Sequence, residues 1–186
     1  MTRYTLTDPL TACPATRAVY DDYLQCTGDT TVPIWLQSLG HSPALARAYW
    51  ERAKGTLLCG TLPLPLKEMI VFAVSALNGA RYCSACHAQA VLRLDETMSH
   101  DMLRAFVEGR FEVDLPPIYR AAVVFAAKVV ADPNAIEDSD FEPLRTEGFS
   151  ATEICEILAV IDMTAMFNIY TSTLQLDLDP SYRAVL

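Results

Sequence analysis

Apolar residues recur every three to four positions along most of the chain, and connectors containing proline or glycine separate these segments. After Pro117, for example, Ile118, Ala122, Phe125 and Val129 lie on one stripe of a helix with 3.6 residues per turn. No segment shows the sustained two-residue alternation that is typical of a half-buried strand. The pattern predicts an all-α fold with helices over residues 14–26, 44–58, 66–77, 83–94, 96–108, 116–131, 138–147 and 150–174.

Two of these helices are apolar on nearly every side. Residues 69–74 read Met-Ile-Val-Phe-Ala-Val, and residues 154–167 carry few polar positions. Helices of this kind belong at the centre of a bundle or in a subunit interface. We therefore expect a single-domain helical bundle, with an N-terminal helical arm over residues 1–30 and the main domain over residues 31–186. The apolar helices also favour a homo-oligomer.

Composition and charge narrow the possible partners. The chain has 186 residues and a formal charge of −9, from 14 Lys and Arg against 23 Asp and Glu. An acidic domain binds phosphate backbones and anionic lipid poorly, so neither nucleic acid nor a membrane is an expected partner. The most apolar stretch is interrupted by Glu156, Asp162 and Asn168, so we expect no membrane span. The first residues lack the apolar core of a signal peptide, and the six cysteines then indicate thiols in a reducing, cytoplasmic compartment.

Four residues with reactive side chains fall in the two central segments. Glu68 lies on an apolar stripe, where burying a carboxylate without a partner costs free energy. Alternatively, its negative charge simply stabilises the first turn of the helix through the helix dipole. Cys83, Cys86 and His87 share one face of the next helix, because spacings of three and four residues bring side chains together. The helix dipole is expected to lower the pKa of a thiol in the first turn, and His87 can exchange a proton with it. These are the parts of an activated cysteine.

The same residues permit other interpretations. Cys-x-x-Cys-His is the attachment string of c-type haem, but that chemistry requires export. A closed zinc site needs four ligands, and the chain has no second Cys-x-x-Cys pair to supply the fourth. Small thiols also simply fill cores. We expect neither a metal nor a cofactor. The isolated cysteines are expected to be buried small residues: Cys13, Cys26, Cys59 and Cys155.

The run from Leu66 to His87 resembles the carboxymuconolactone decarboxylase and alkylhydroperoxidase D superfamily, whose usual signature is Glu-x11-Cys-x2-Cys-x3-His. Glu68 matches the glutamate of that signature, Cys83 the second cysteine and His87 the histidine. The resemblance implies a helical bundle of the alkylhydroperoxidase D type, in which a central antiparallel helix pair carries the motif. It extends over roughly residues 30–180 and is closest to the peroxidase-related branch. The segments that carry it are Val32-Pro33, His41-Ser42-Pro43, Asp132-Pro133, Gly148-Phe149-Ser150 and Phe167-Asn168.

One position departs from the signature, because its first cysteine falls on Ala80. In the family, that cysteine and the second one form the redox disulfide, so the resolving thiol is absent from its usual place. Cys86, one helical turn after Cys83, either takes over that role or is incidental. The decarboxylase branch does not depend on the cysteine pair. The departure therefore weakens the peroxidase interpretation and leaves the fold prediction intact.

By resemblance, the leading hypothesis is a thiol-dependent antioxidant enzyme of the peroxidase type. Cys83 would attack a hydroperoxide, Cys86 would resolve the product, and His87 with Glu68 would relay the proton, while a dithiol reductant or carrier protein would restore the thiols. One alternative is acid–base chemistry on a small carboxylated lactone by Glu68 and His87. Another is a non-catalytic oligomeric member of the family. The position of the Cys86 sulfur distinguishes these hypotheses. Contact with the Cys83 sulfur would favour redox chemistry, and a position in the apolar core would favour the two alternatives.

Overall fold

The computed structural model describes residues 2–108 and 115–183, and all regular structure in these two ranges is helical. The all-α prediction is confirmed. Short 3-10 turns lie at Pro133–Ala135, Asp138–Phe141 and Pro180–Tyr182, and a π-helical turn lies at Lys54–Leu58. The α-helices are α1 (Pro14–Thr27), α2 (Ile34–Leu39), α3 (Pro43–Ala53), α4 (Leu64–Leu77), α5 (Arg81–Leu94), α6 (His100–Val107), α7 (Pro117–Ala131), α8 (Glu142–Thr146) and α9 (Ala151–Leu174).

Four helices differ from the sequence pattern. The predicted helix 138–147 is a 3-10 turn as far as Phe141 and an α-helix only from Glu142 to Thr146. The short helix α2 was not predicted, because six residues show too little periodicity. The predicted helix 44–58 changes to a π-helical turn after Ala53. The predicted helix 96–108 begins only at His100, because the Asp95 carboxylate accepts hydrogen bonds from the backbone and hydroxyl of Thr97 and so holds a turn.

The centre of the fold is the hairpin formed by α4 and α5. Residues 66–75 of α4 are all buried, and α4 packs against α5, α7 and α9. The chain reverses at Gly79, whose φ of 63° lies in the left-handed region that favours glycine. The backbone N–H of Ala80 then donates to the carbonyl of Ser75, and α5 returns antiparallel to α4. The hairpin thus has the antiparallel arrangement that the sequence predicts.

Helix α1, the predicted N-terminal arm, packs on α3 rather than standing apart. Its Val19, Tyr20 and Tyr23 are buried in the main core, and the Tyr23 ring meets the Trp50 ring edge-on with centroids 5.0 Å apart. The start of the chain therefore contributes side chains to the same core as the rest of the bundle.

Helix α9 is the longest helix of the described residues, and a capping box begins it: Ser150 accepts from the backbone of Glu153, and Glu153 accepts from the backbone of Ser150. By length and composition alone α9 could cross a membrane, and 39% of its most apolar window is buried inside the bundle. It packs against α4, α5 and α7, as the core helix of a helical domain does.

A buried ion pair fixes the connector before α4 onto α9. Lys67 is 1% exposed, and its ammonium lies 3.3 Å from the Glu156 carboxylate and donates to the carbonyl of Cys59. Glu156 also accepts from the backbone N–H groups of Thr61 and Leu62, at 2.8 and 3.0 Å. Burial alone would raise the pKa of Glu156, but the backbone and side-chain hydrogen bonds lower it to about 2.

We expect Glu156→Gln to lower the free energy of unfolding by about 2 kcal/mol or more, because it leaves the buried Lys67 ammonium without its counter-charge. Urea unfolding at neutral pH measures the loss. The stabilisation from a lowered carboxyl pKa is present above the ordinary value of 4.5 and disappears as pH falls toward 2, so the difference from wild type should shrink over that interval.

The matched control is Asp162→Asn on the same helix. Asp162 pairs with Arg52 at the surface with 78% of its side chain exposed, so its loss should cost less than about 1 kcal/mol. Equal losses in the two variants would contradict the assignment of a buried, structurally important pair.

Candidate active site

A carboxylate–imidazole pair links the two helices of the central hairpin. The Nδ1 atom of His87 on α5 lies 2.5 Å from the Oε2 atom of Glu68 on α4. Glu68 is 8% exposed, so its carboxylate is buried on a mostly apolar helix with His87 as its partner. A carboxylate at Nδ1 orients the ring, fixes the hydrogen on that nitrogen and leaves Nε2 as a proton acceptor. The pair that the sequence predicts is therefore arranged as a base with its positioning group.

The two cysteines of the motif face the same cavity as this pair. Cys83 is the third residue of α5 and is 4% exposed, and its sulfur lies 3.3 Å from the hydroxyl oxygen of Thr171 on α9. Cys86, one turn further along, is partly buried, and both cysteines are free thiols. Cys86 lines the cavity beside Cys83 rather than pointing into apolar core.

Burial, rather than the helix dipole, governs the acidity of both thiols. It raises the pKa of Cys83 to about 11, although hydrogen bonding with Thr171 opposes the shift. It raises the pKa of Cys86 further, where hydrogen bonding with Tyr182 opposes the shift and the negative charge of Glu68 adds to it. The expectation of an acidified Cys83 is therefore not met, because loss of hydration outweighs the first-turn position. Cys83 remains the more acidic of the two.

The cavity has a volume of about 400 Å³, which is in the range that holds a small organic molecule. Helices α1, α3, α4, α5 and α9 and the C-terminal segment all contribute to it. Much of its wall is aromatic, from Tyr23, Trp35, Trp50, Tyr82, Phe167 and Tyr182. Glu68, His87 and the two thiols supply a compact polar patch in this wall.

The C-terminal segment closes one side of the cavity, a feature that sequence reasoning missed. The carboxylate of Asp179 accepts from the Tyr82 hydroxyl at 2.5 Å and from the backbone N–H of Ile34 at 3.2 Å. Tyr182 follows within the same 3-10 turn and lines the cavity. Asp179 lies 97 residues after Tyr82 in the chain, so no local spacing signals their contact. Tyr82 itself lies directly before Cys83 of the motif.

The placement of the isolated cysteines differs from the sequence prediction. Cys13, Cys26, Cys59 and Cys155 are exposed, so the prediction that they are buried is wrong. Among residues 2–108 and 115–183, no group of three or more His, Cys, Asp or Glu side chains is arranged to hold a metal ion.

Comparison with known proteins agrees with this fold. Residues 43–98, which contain α4, α5 and all four motif residues, match the carboxymuconolactone decarboxylase family. A peroxidase-related protein from Ralstonia eutropha JMP134, described as an alkylhydroperoxidase AhpD core, superposes with a TM-score of 0.86 at 25% identity over 97% of this chain and 94% of that one. Both matches agree with the carboxymuconolactone decarboxylase and alkylhydroperoxidase D-like superfamily that the sequence resembles.

Two other solved structures share the fold over nearly their full length. A peroxidase-related protein from Silicibacter sp. TM1040 has a TM-score of 0.85 at 24% identity, covering 98% of this chain and 94% of that one. The debrominase Bmp8, in complex with 2,3,4-tribromopyrrole, has a TM-score of 0.79 at 22% identity, covering 100% and 96%. No curated protein matches the chain.

We expect Cys83 to titrate well above Cys13 in the folded protein. Burial raises the pKa of Cys83 to about 11, whereas Cys13 is exposed and hydrogen bonding with Thr16 lowers its pKa from 9.0. Alkylation of Cys86→Ser protein by iodoacetamide, followed in the separate tryptic peptides, measures the titration of both thiols. As pH rises, the alkylation rate of Cys13 should reach its plateau at the lower pH, and the alkylation rate of Cys83 should keep rising toward about pH 11.

The test depends on how the alkylation rate changes with pH and not on the absolute rate, because limited access of the reagent also slows the alkylation of a buried thiol. Trypsin cleaves after Arg81 and Arg93, so in the variant the peptide 82–93 contains Cys83 alone. Circular dichroism at each pH establishes that the protein is folded. A Cys83 titration at or below that of Cys13 would overturn the interpretation.

Proposed function

We propose that the protein is a thiol-dependent peroxidase that reduces a hydroperoxide with the Cys83–Cys86 pair. The observation that supports this most strongly is the Glu68–His87 hydrogen bond within the cavity that both thiols line. A base oriented by a carboxylate beside a thiol is the general arrangement of an activated nucleophile. The proposal assigns each motif residue a role.

In the first step His87 takes the proton of the Cys83 thiol at Nε2, while Glu68 stabilises the ring that has become positive. The Cys83 sulfur then attacks the terminal oxygen of the hydroperoxide. A sulfur–oxygen bond forms, the oxygen–oxygen bond breaks, and the alcohol leaves with the proton that His87 returns. Cys83 is now a sulfenic acid and has given two electrons to the peroxide.

In the second step Cys86 resolves the sulfenic acid. Its sulfur attacks the sulfur of Cys83, the sulfur–sulfur bond forms, the sulfur–oxygen bond breaks, and water leaves. Cysteines three apart at the start of a helix have Cα atoms about 5–6 Å apart, which is within disulfide range. An external dithiol, either a small molecule or a carrier protein, then returns two electrons to the pair.

Cys83 is the better candidate for the attacking thiol because its pKa is the less raised of the two. It also lies at the start of α5, where the helix dipole favours a negative charge.

The cellular location and the oligomeric state of the protein stay predictions. We infer a cytoplasmic location from the free thiols, and a homo-oligomer from the apolar residues that α9 leaves exposed, such as Leu158 and Ile169.

A second candidate is the reductive removal of a halogen from an aromatic ring. The aromatic wall of the cavity suits a flat apolar substrate, and a debrominase shares the fold. The same groups suffice: two electrons from the dithiol pair and one proton from His87 replace bromine by hydrogen, and bromide leaves.

The acid–base alternative uses Glu68 and His87 alone, so it predicts activity that survives loss of Cys83.

Consumption of cumene hydroperoxide in the presence of dithiothreitol tests the proposed activity. Cys83→Ser should reduce it to the level without protein, and Glu68→Gln should lower it by about 10- to 100-fold because His87 loses its positioning group. The matched control is Cys13→Ser, which removes an exposed thiol and should leave the rate unchanged. Peroxide consumption that Cys83→Ser does not affect would refute the thiol mechanism, and 2,3,4-tribromopyrrole run in parallel separates the two reductive candidates.

One equivalent of hydroperoxide without reductant should form a Cys83–Cys86 disulfide within the chain. The tryptic peptide 82–93 contains both sulfurs, so non-reducing mass spectrometry should find it lighter by two hydrogens. In Cys86→Ser protein, the same treatment should leave Cys83 as a sulfenic acid, and a second equivalent of hydroperoxide should oxidise it to sulfinic acid. A wild-type protein that accumulates sulfinic acid at Cys83 while Cys86 stays a free thiol would show that Cys86 is not the resolver.

A further inference from the structure

A threonine of α9, outside the motif, is hydrogen-bonded to the sulfur of Cys83. The Thr171 hydroxyl oxygen lies 3.3 Å from this sulfur, and both residues are buried, Thr171 at 1% and Cys83 at 4% exposure. Cys83 otherwise packs in a small cluster that includes Ala80 and Leu176. The hydroxyl is therefore the polar contact of this sulfur in a largely apolar environment.

The backbone of α9 fixes where the hydroxyl oxygen lies. The Thr171 hydroxyl donates to the carbonyl of Phe167 at 2.9 Å, one helical turn earlier. A threonine in a helix has few side-chain rotamers, and this bond selects one of them. The carbonyl also accepts the regular helical N–H of residue 171, so it keeps a partner if the hydroxyl turns away. The oxygen is held in place, and its hydrogen is the part that is free to move.

The direction of the two hydrogen bonds follows from the number of hydrogens. A hydroxyl has one hydrogen to donate and lone pairs with which to accept. The Phe167 carbonyl can only accept, so it takes the Thr171 hydrogen. In the resting protein the Cys83 thiol must then donate its own hydrogen to the Thr171 oxygen. A thiolate has no hydrogen to donate, so ionisation of Cys83 requires the hydroxyl to become the donor.

We propose that Thr171 is a catalytic residue of the first step. Its hydroxyl turns from the Phe167 carbonyl to the Cys83 sulfur as the thiol ionises, and the new hydrogen bond holds the thiolate for its attack on the hydroperoxide. This rests on the proposed function. The Cys83 proton goes to Nε2 of His87, and Thr171 keeps its own hydrogen throughout. The turn is a rotation about the Cβ–Oγ bond and moves no heavy atom.

The first test does not depend on a peroxidase activity. In Cys86→Ser protein, the tryptic peptide 82–93 contains Cys83 alone, so its alkylation by iodoacetamide reports the thiolate at that position. Adding Thr171→Val removes the hydroxyl and keeps a branched side chain of similar shape. It should slow the alkylation by about three- to tenfold between about pH 8 and 10, because the thiolate loses its donor. Adding Thr171→Ser instead keeps the hydroxyl and should restore most of the rate.

Thr164→Val in the same background is the matched control. Thr164 is buried on the same face of α9, two turns before Thr171, and its hydroxyl donates to the carbonyl of Val160 in the same way. We expect this variant to leave the alkylation rate of Cys83 unchanged. A loosened α9 would expose Cys83 and speed its alkylation. A rate in Thr171→Val that equals or exceeds that of the parent protein would therefore overturn the proposal.

The second test measures the proposed reaction. Consumption of cumene hydroperoxide with dithiothreitol at neutral pH should be about three- to tenfold slower in Thr171→Val than in wild type, and Thr171→Ser should recover most of the rate. Matching unfolding midpoints in urea establish that the three proteins are folded. Thr171→Ala removes the same hydroxyl with less bulk and replaces the valine variant if that variant does not fold.

The outcomes separate the two proposals. If wild type consumes no hydroperoxide, the proposed function fails, and the catalytic role of Thr171 fails with it, even where alkylation shows the hydrogen bond. If wild type is active and Thr171→Val is equally active, the role of Thr171 fails and the proposed function stands.

Discussion

The buried hydrogen bond between Glu68 and His87 is the constraint on which the rest of the site depends. A carboxylate inside an otherwise apolar helix costs several kcal/mol unless a polar group meets it. His87 meets it from α5, and the contact is possible only if α4 and α5 pack antiparallel at one relative height. A shift of one residue along either helix would rotate a side chain by about 100° and leave both groups unpaired. The pair therefore sets the alignment of the hairpin as well as the chemistry of the cavity.

Helix α9 completes the site with three buried polar residues. Thr164, Asn168 and Thr171 are spaced three and four apart, so they form a single stripe. The amide oxygen of Asn168 accepts from Ser75 on α4, and the Thr171 hydroxyl meets the sulfur of Cys83 on α5. The remaining surface of α9 packs in the core or stays exposed. Asn168 and Thr171, both buried, therefore mark the face of α9 that contacts the hairpin.

The sequence predicts the parts of this arrangement that depend on local spacing. Periodicity and capping residues predict the helices, and the distance of Glu68 and His87 from the Gly79 reversal brings the two side chains together. Spacing does not report how much water a residue loses, so the sequence placed Cys83 in the first turn correctly but expected the wrong pKa direction. It also does not report contacts between distant segments, which is why Tyr182 was missed.

The high pKa of both thiols explains why the site contains more than a pair of cysteines. A buried thiol keeps its proton at neutral pH, so it is a weak nucleophile and reacts slowly with adventitious oxidants. Reaction then requires that a proton be removed or a negative sulfur be stabilised at the moment of attack. In our proposal His87, held by Glu68, does this for Cys83.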